Sequence, residues 1–251
     1  MSFDNKKSLQ IQFQLMMITN TGKDPCSTKQ FILEDGSVSS IPFKGIYKAE
    51  AQVIVSSGLE KFSDRIAEEI KNGANDTVFT SGIPKYPSSD GKYKVRSKAL
   101  ANKEKIKHTI SLSEQDIHYT PLPTLMLIDY DPPKSQRNAK FHEEVVSRGL
   151  INVLDSIVPE LRLTTIERIE KKSSSAGVST INSEGDIIPI KPWDGDQIYI
   201  LVSDGTKIQD LVKYIEIKCV LAGFYWIEPN AAGRGMIKTV IDPAPSRASS
   251  I

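Results

Sequence analysis

The sequence predicts an α+β fold with a mixed or antiparallel sheet, because strand patterns and amphipathic helix patterns follow one another without a regular alternation. Two segments carry apolar residues at the 3.6-residue period of a helix, one from Phe141 to Ile157 and one from Ile208 to Ala222. Apolar runs of strand length occur at 125–128, 197–203 and 237–241. We therefore expect a sheet with helices packed on one face and a more open opposite face.

Composition indicates an ordinary globular chain. The 251 residues include 32 Lys and Arg against 31 Asp and Glu, and 39% are hydrophobic. This balance gives no overall electrostatic reason to bind nucleic acid, so such binding must depend on local patches. Cys26 and Cys219 are too few for a disulfide framework and lack zinc-ligand spacing. With no signal-type or membrane-length apolar run, we expect a cytoplasmic protein with no membrane contact.

The most informative stretch is a short apolar strand pattern that ends in two acids. Leu125–Ile128 is followed by Asp129, Tyr130 and Asp131, and then by two prolines. Side chains of a strand alternate between faces, so the two aspartates project from the same face. Two like charges at the end of a buried strand favour a divalent cation between them. The alternative is a solvated turn that caps the strand.

A second apolar strand pattern, at 237–241, delivers Asp242 into a proline. If the two strands are neighbours in one sheet, Asp129, Asp131 and Asp242 converge. Three carboxylates suit Mg²⁺ or Mn²⁺, which prefer oxygen ligands and support phosphoryl and nucleotidyl transfer. Many strands nevertheless end in aspartate for structural reasons, so this pattern alone leaves both interpretations open.

Two further segments could contact phosphates. The first is a basic span between Gly91 and His108, whose candidate nucleic-acid contacts are Lys92, Lys94, Arg96 and Lys98. The second is a loop that begins with Lys172, Ser173 and Ser174, in which hydroxyl and backbone N–H groups could bind phosphate oxygens. The alternatives are a solvated basic surface and a flexible polar loop.

The order of these features resembles the catalytic domain of the archaeo-eukaryotic primase superfamily, in particular the primase-polymerases of plasmids, phages and integrative elements. Leu127-Ile-Asp-Tyr-Asp131 matches the family's first motif, an apolar strand ending in Asp-x-Asp. Val240-Ile-Asp242 matches the third motif, and Ser173–Gly177 resembles the Ser-rich segment between them. The resemblance covers roughly residues 105–245 and rests on the order and spacing of these motifs.

The second motif departs from the family pattern. The resemblance implies a histidine that contacts the phosphates of the incoming nucleotide, whereas Gly195-Asp-Gln-Ile-Tyr199 places Gln197 there. Glutamine can donate a hydrogen bond to phosphate but carries no positive charge. The change indicates weakened catalysis, a different nucleotide preference, or a domain that binds without polymerising. Lys171, Lys172, Lys191 or Arg234 could supply the missing charge.

The resemblance implies an RRM-like core and template-directed synthesis of a primer or DNA strand during mobile-element replication. Asp129 and Asp131 would coordinate Mg²⁺ or Mn²⁺, and Asp242 would complete the site. Ser173, Ser174, Gln197 and Lys172 would bind the NTP or dNTP substrate. Expected partners are a single-stranded DNA template, nucleoside triphosphates and a replicative helicase.

We accordingly expect the chain to divide into an N-terminal accessory α/β part at 1–90 and a catalytic core at 91–251. The sequence ends soon after Asp242, which suggests a fragment of a longer replication protein. Two other functions remain open from the residues themselves. One is a nucleic-acid-binding module that has lost its chemistry at Gln197, and the other is a metal-dependent nuclease.

Overall fold

The computed structural model describes residues 11–22, 30–34, 37–41, 46, 48–72, 77–104, 108–133, 139–172, 179–181, 184–189, 195–230 and 232–249. The helices are α1 (Leu59–Lys71), α2 (Lys98–Glu104), α3 (Ala139–Arg148), α4 (Leu150–Ile157) and α5 (Ile208–Leu221). The strands are β1 (Gln12–Asn20), β2 (Gln30–Glu34), β3 (Ser37–Ile41), β4 (Lys48–Ser57), β5 (Thr77–Thr80), β6 (Ile83–Pro84), β7 (Lys92–Arg96), β8 (Thr109–Ile110), β9 (Ile117–His118), β10 (Thr124–Tyr130), β11 (Arg168–Lys172), β12 (Ser179–Ile181), β13 (Ile187–Pro189), β14 (Asp196–Val202), β15 (Tyr225–Pro229) and β16 (Gly235–Thr239).

A five-stranded sheet occupies the N-terminal half. Its strand order is β5-β1-β4-β7-β8, and every pairing is antiparallel except that of β7 with β8. The sequence suggested a division of the chain at residue 90. Strands β7 and β8 come after that residue and belong to the same sheet as β1, β4 and β5. The α+β class with antiparallel and mixed sheets is therefore confirmed.

A three-stranded antiparallel sheet, with the order β10-β14-β11, lies in the C-terminal half. Asp242 forms an antiparallel bridge with Asp129 on the free side of β10. Because β10 lies between β14 and this bridge, Asp129 sits inside the sheet rather than at its edge.

Helices cover one face of the three-stranded sheet. Met126, Ile128 and Tyr130 point to this face and are almost fully buried against α4 and α5. The helices contribute a buried apolar stripe that includes Val153, Leu154, Val212, Ile215 and Cys219. The expected packing of helices behind the sheet is thus observed.

The opposite face of the same sheet packs against α1 and the five-stranded sheet. Phe62 of α1 is 1% exposed and lies at the centre of this contact. Its ring makes edge contacts with Phe13, Phe79 and Tyr199, with centroid separations of 5.9, 5.5 and 6.3 Å. These aromatic residues hold the two sheets together. They cover the apolar part of the face that carries Asp129, and only the end of that face is open.

Two sequence-based expectations need correction. The single helix expected from Phe141 to Ile157 is two helices, because Gly149 has a φ of 81° and ends α3 before α4 begins. The strand expected at 237–241 ends at Thr239, after which the chain leaves β15 and crosses to β10. None of the helices in the described ranges combines the length and apolar character needed to cross a membrane.

The segment after Asp242 is fixed to both sheets. The Ser246 hydroxyl donates to the Leu127 carbonyl at 3.1 Å, and Tyr119 donates to the Ser246 carbonyl at 2.8 Å. The Thr80 hydroxyl, at the end of β5, donates to the Ala248 carbonyl at 2.6 Å, and the Gly82 N–H donates to the same oxygen at 3.0 Å. A Cβ added to Gly82 would lie 2.3 Å from that oxygen. These bonds hold the bridge at Asp242 in place.

We expect Phe62→Ala to lower the free energy of unfolding by about 3–5 kcal/mol, because it leaves a cavity among buried aromatic rings. Tyr86→Ala is the matched control, since Tyr86 is 76% exposed and its side chain should contribute little. Urea unfolding followed by tryptophan fluorescence measures both. Equal midpoints for the two variants would contradict the central role of Phe62.

Candidate metal centre

Three aspartates converge where β10 ends. Each of Asp129, Asp131 and Asp242 offers a carboxylate oxygen, and these three oxygens lie within 4.8 Å of one another. Asp129 is buried, Asp242 is half-buried and Asp131 is exposed. The cluster is therefore closed by the fold on the Asp129 side and open to solvent on the Asp131 side.

The end of β10 is held by the residue between the two aspartates. Tyr130 points to the helical face, is 1% exposed, and its hydroxyl lies 3.0 Å from Nδ1 of His142 on α3. Since neighbouring residues of a strand point to opposite faces, this anchor directs Asp129 away from the helices, as the pattern predicted.

Asp242 reaches the cluster through backbone pairing. Its N–H donates to the Asp129 carbonyl at 2.8 Å, so the two residues are direct cross-strand neighbours. The Ala244 N–H donates to Oδ1 of Asp242 at 3.0 Å and orients the carboxylate at the start of the following turn. Two segments that are far apart in sequence thus build one cluster.

Asp129 lies in an unfavourable electrostatic environment. The residue is 8% exposed, and its Oδ1 atom has no hydrogen-bond partner among the residues that the structure describes. Burial raises the pKa of Asp129 from 3.8 to about 6, and the charges of Asp131 and Asp242 act in the same direction. The Gln197 amide and the Lys171 charge oppose this rise.

A divalent cation would relieve this strain. The unpartnered Oδ1 atom needs a positive partner, and the oxygen-only donor set is the one that Mg²⁺ and Mn²⁺ prefer. The three carboxylates lie close enough to hold a metal ion. The expected ligand set of Asp129, Asp131 and Asp242 is therefore brought together in the fold.

The structure also places the other residues expected around the nucleotide. Gln197 stands directly opposite Asp129 in the sheet. Lys172 points to the other face, where its ammonium pairs with Asp196 at 2.5 Å. Its neighbour Lys171 points to the carboxylate face instead, a difference that only the strand register reveals. Ser173 and Ser174 lie outside the described residues.

Part of the basic span lines a groove on the five-stranded sheet. The groove has a volume of about 510 Å³ and is lined by Lys92, Lys94 and His108, and also by the acids Glu50 and Asp90. Arg96 follows on the same face of β7, and Lys98 begins α2. Met17 both lines this groove and packs against the aromatic contact between the sheets.

No protein-family model, curated protein or solved structure matches this chain. The function must therefore be inferred from the geometry of the site.

We expect the stability of the metal-free protein to fall as the pH rises through the Asp129 transition. The folded state binds this proton more tightly than the unfolded state, so the stabilising effect is complete below about pH 4 and lost by about pH 6. Asp129→Asn should then be more stable than the wild type above pH 6, by on the order of 2–3 kcal/mol, and equal to it below pH 4.

Urea titrations in EDTA across this pH range measure the difference. Asp210→Asn, an exposed aspartate in the first turn of α5, is the control. It should lose at most about 1 kcal/mol from the helix N-terminus and gain no stability above pH 6. Addition of Mn²⁺ near neutral pH should stabilise the wild type but not Asp129→Asn, because only the wild type keeps all three carboxylates. A variant that gains as much as the wild type from Mn²⁺ would argue against the site.

Proposed function

We propose that this chain is a metal-dependent nucleotidyltransferase, a DNA primase or DNA polymerase that extends a strand on a single-stranded template. The observation that carries the proposal is the convergence of Asp129, Asp131 and Asp242 around a buried carboxylate oxygen that has no hydrogen-bond partner in the described ranges. If Asp129 and Asp131 only capped the strand, there would be no need for Asp242, from a distant segment, to add a third negative charge beside them.

The local architecture supports the resemblance to the primase-polymerases. The first and third motifs lie side by side through the bridge between Asp129 and Asp242, and the second-motif position, Gln197, lies on the other side of Asp129. Helices cover the opposite face of the sheet. We therefore assign the β10-β14-β11 sheet, with α4 and α5, to an RRM-like catalytic core.

Each residue has a role that follows from its position. Asp129 and Asp131 would hold the divalent ions, and Asp242 would complete the ligand set from the neighbouring segment. When bound, the ions align the triphosphate and offset negative charge on the attacking and leaving oxygens. Gln197 offers an amide donor beside Asp129 but no charge.

The groove on the five-stranded sheet is the proposed template site. Lys92 and Lys94 lie two residues apart on β7, so both ammonium groups project from the same face, where Glu50 opposes Lys94. Such groups attract phosphates through charge and release counterions on binding. The expected helicase partner and the mobile-element setting remain predictions.

Replacement of Lys92 and Lys94 together by alanine should weaken binding to single-stranded DNA. The slope of log K against log salt should become shallower by about 0.7 for each lysine that contacts a phosphate. The control is the double replacement of Lys207, the residue before α5, and Lys213 in the second turn of that helix, both of which are exposed. Fluorescence anisotropy over a range of salt concentrations gives both quantities. Identical slopes for the two double variants would remove the groove from the template site.

One observation favours a second function. Gln197 directly opposes Asp129, at the position where the family resemblance implies a charged histidine. A nucleic-acid-binding module that has kept the fold without polymerising would tolerate this exchange.

The activity test combines a single-stranded template, NTPs or dNTPs, and Mg²⁺ or Mn²⁺. We expect the wild type to produce labelled product and Asp129→Ala to lose about 100-fold or more of this activity, since it removes a metal ligand. Asp210→Asn should behave as the wild type. Gln197→His should increase the rate by restoring a group that can be cationic.

The other outcomes identify the competing functions. A template that becomes shorter in a metal-dependent reaction would identify a nuclease. Binding of the template without product, in both the wild type and Gln197→His, would identify the binding module.

A further inference from the structure

One row of side chains crosses the three-stranded sheet at the candidate metal centre. Asp242 opposes Asp129, Asp129 opposes Gln197, and Gln197 opposes Lys171. Residues that are directly opposed in antiparallel strands project from the same face. The row therefore runs from two carboxylates, through an amide, to an ammonium group.

Lys171 is the cation that the fold places in this row. The neighbouring Lys172 projects from the opposite face and pairs with Asp196. Arg234 lies in the connection between β15 and β16, a separate two-stranded sheet, and Lys191 lies outside the described residues. Of the four cations that could replace the histidine charge, Lys171 thus has a described position in line with the carboxylates.

The ammonium of Lys171 has no ion-pair partner within hydrogen-bonding distance in the described part of the chain. Among the described residues, no carboxylate forms a salt bridge with it, whereas Lys172 has such a partner at 2.5 Å. Asp129 and Lys171 influence each other electrostatically across the strand that carries Gln197. Adjacent strands are about 4.8 Å apart, so the backbones of Lys171 and Asp129 are separated by about 10 Å. The Gln197 side chain, which stabilises the ionised form of Asp129, projects between them on the same face. A phosphate bound by Lys171 would therefore also lie within reach of the Gln197 amide.

We propose that Lys171 binds the phosphates of the metal-bound nucleoside triphosphate, with the Gln197 amide as the neighbouring neutral donor. This inference rests on the proposed function of the aspartate cluster. The charges are complementary, since the ions meet the phosphates from the Asp129 side and the ammonium meets them from the β11 side. A cation on the adjacent strand would thereby supply the positive charge beside the phosphates that Gln197 lacks.

Lys171 could instead serve only to offset the buried charge of Asp129. The two roles differ in what they predict. A lysine that only neutralises Asp129 affects metal binding and leaves nucleotide binding independent of the number of phosphates. A lysine that binds phosphate matters more for a triphosphate than for a monophosphate and has no effect on the nucleoside.

The test compares Lys171→Met with Lys172→Met, two adjacent lysines that differ in the face they occupy. Mn²⁺ binding is measured by electron paramagnetic resonance. Binding of ATP, AMP and adenosine to the Mn²⁺-loaded protein is measured by calorimetry. We expect Lys171→Met to keep Mn²⁺ affinity within about threefold and to lose about 10- to 100-fold in ATP affinity, with a smaller loss for AMP. Lys172→Met should match the wild type, and Lys171→Arg should recover most of the affinity for ATP.

Three results would overturn the inference. These are equal ATP affinities of the two methionine variants, a loss of Mn²⁺ binding as large as the loss of ATP binding in Lys171→Met, and a wild type that binds Mn²⁺ but not ATP. The proposed function can fail separately. If the wild type binds Mn²⁺ and ATP with the expected dependence on Lys171 but makes no strand on a template, the phosphate site stands and the polymerase function is wrong.

Discussion

The repulsion between three carboxylates is the constraint on which the candidate site depends. Asp129 is enclosed by the sheet, and the charges of Asp131 and Asp242 make its ionised form still less favourable. The fold holds these groups together through backbone bonds that do not respond to charge, chiefly the N–H of Asp242 to the carbonyl of Asp129. The buried aromatic contact around Phe62 and the helical layer behind Tyr130 provide the favourable packing that offsets this repulsion.

The strand that ends in Asp129 and Asp131 could be predicted from the sequence because its signals are local. A four-residue apolar run indicated the strand, its alternation indicated the shared face, and the prolines marked its end. The helix from Ile208 was similarly clear, since its apolar period is long. The meeting of Asp242 with Asp129 could only be suggested, by analogy between two similar strand ends, because no local pattern specifies a pairing between segments so far apart.

What the sequence could not provide was register and local backbone geometry. Lys171 and Lys172 are adjacent and identical in the sequence. Only the pairing of β11 with β14 shows which of them faces the carboxylates. The apolar period from Phe141 to Ile157 continues through Gly149, so a pattern-based analysis predicts one helix. The left-handed backbone at that glycine, which its neighbours alone do not reveal, makes two helices.

The bonds that fix Ser246 and Ala248 to both sheets have a consequence for how the site comes into being. Contacts between segments distant in the chain form late, because closing a long loop has an entropic cost before any bond compensates for it. During synthesis, Asp129 and Asp131 emerge long before Asp242 and its anchors, and they stay solvated as an ordinary pair of acids. The Asp242 carboxylate joins them only when the segment at Ser246 and Ala248 has bonded to Leu127 and Gly82. A cluster of all three carboxylates is thus a property of the finished fold and not of the growing chain.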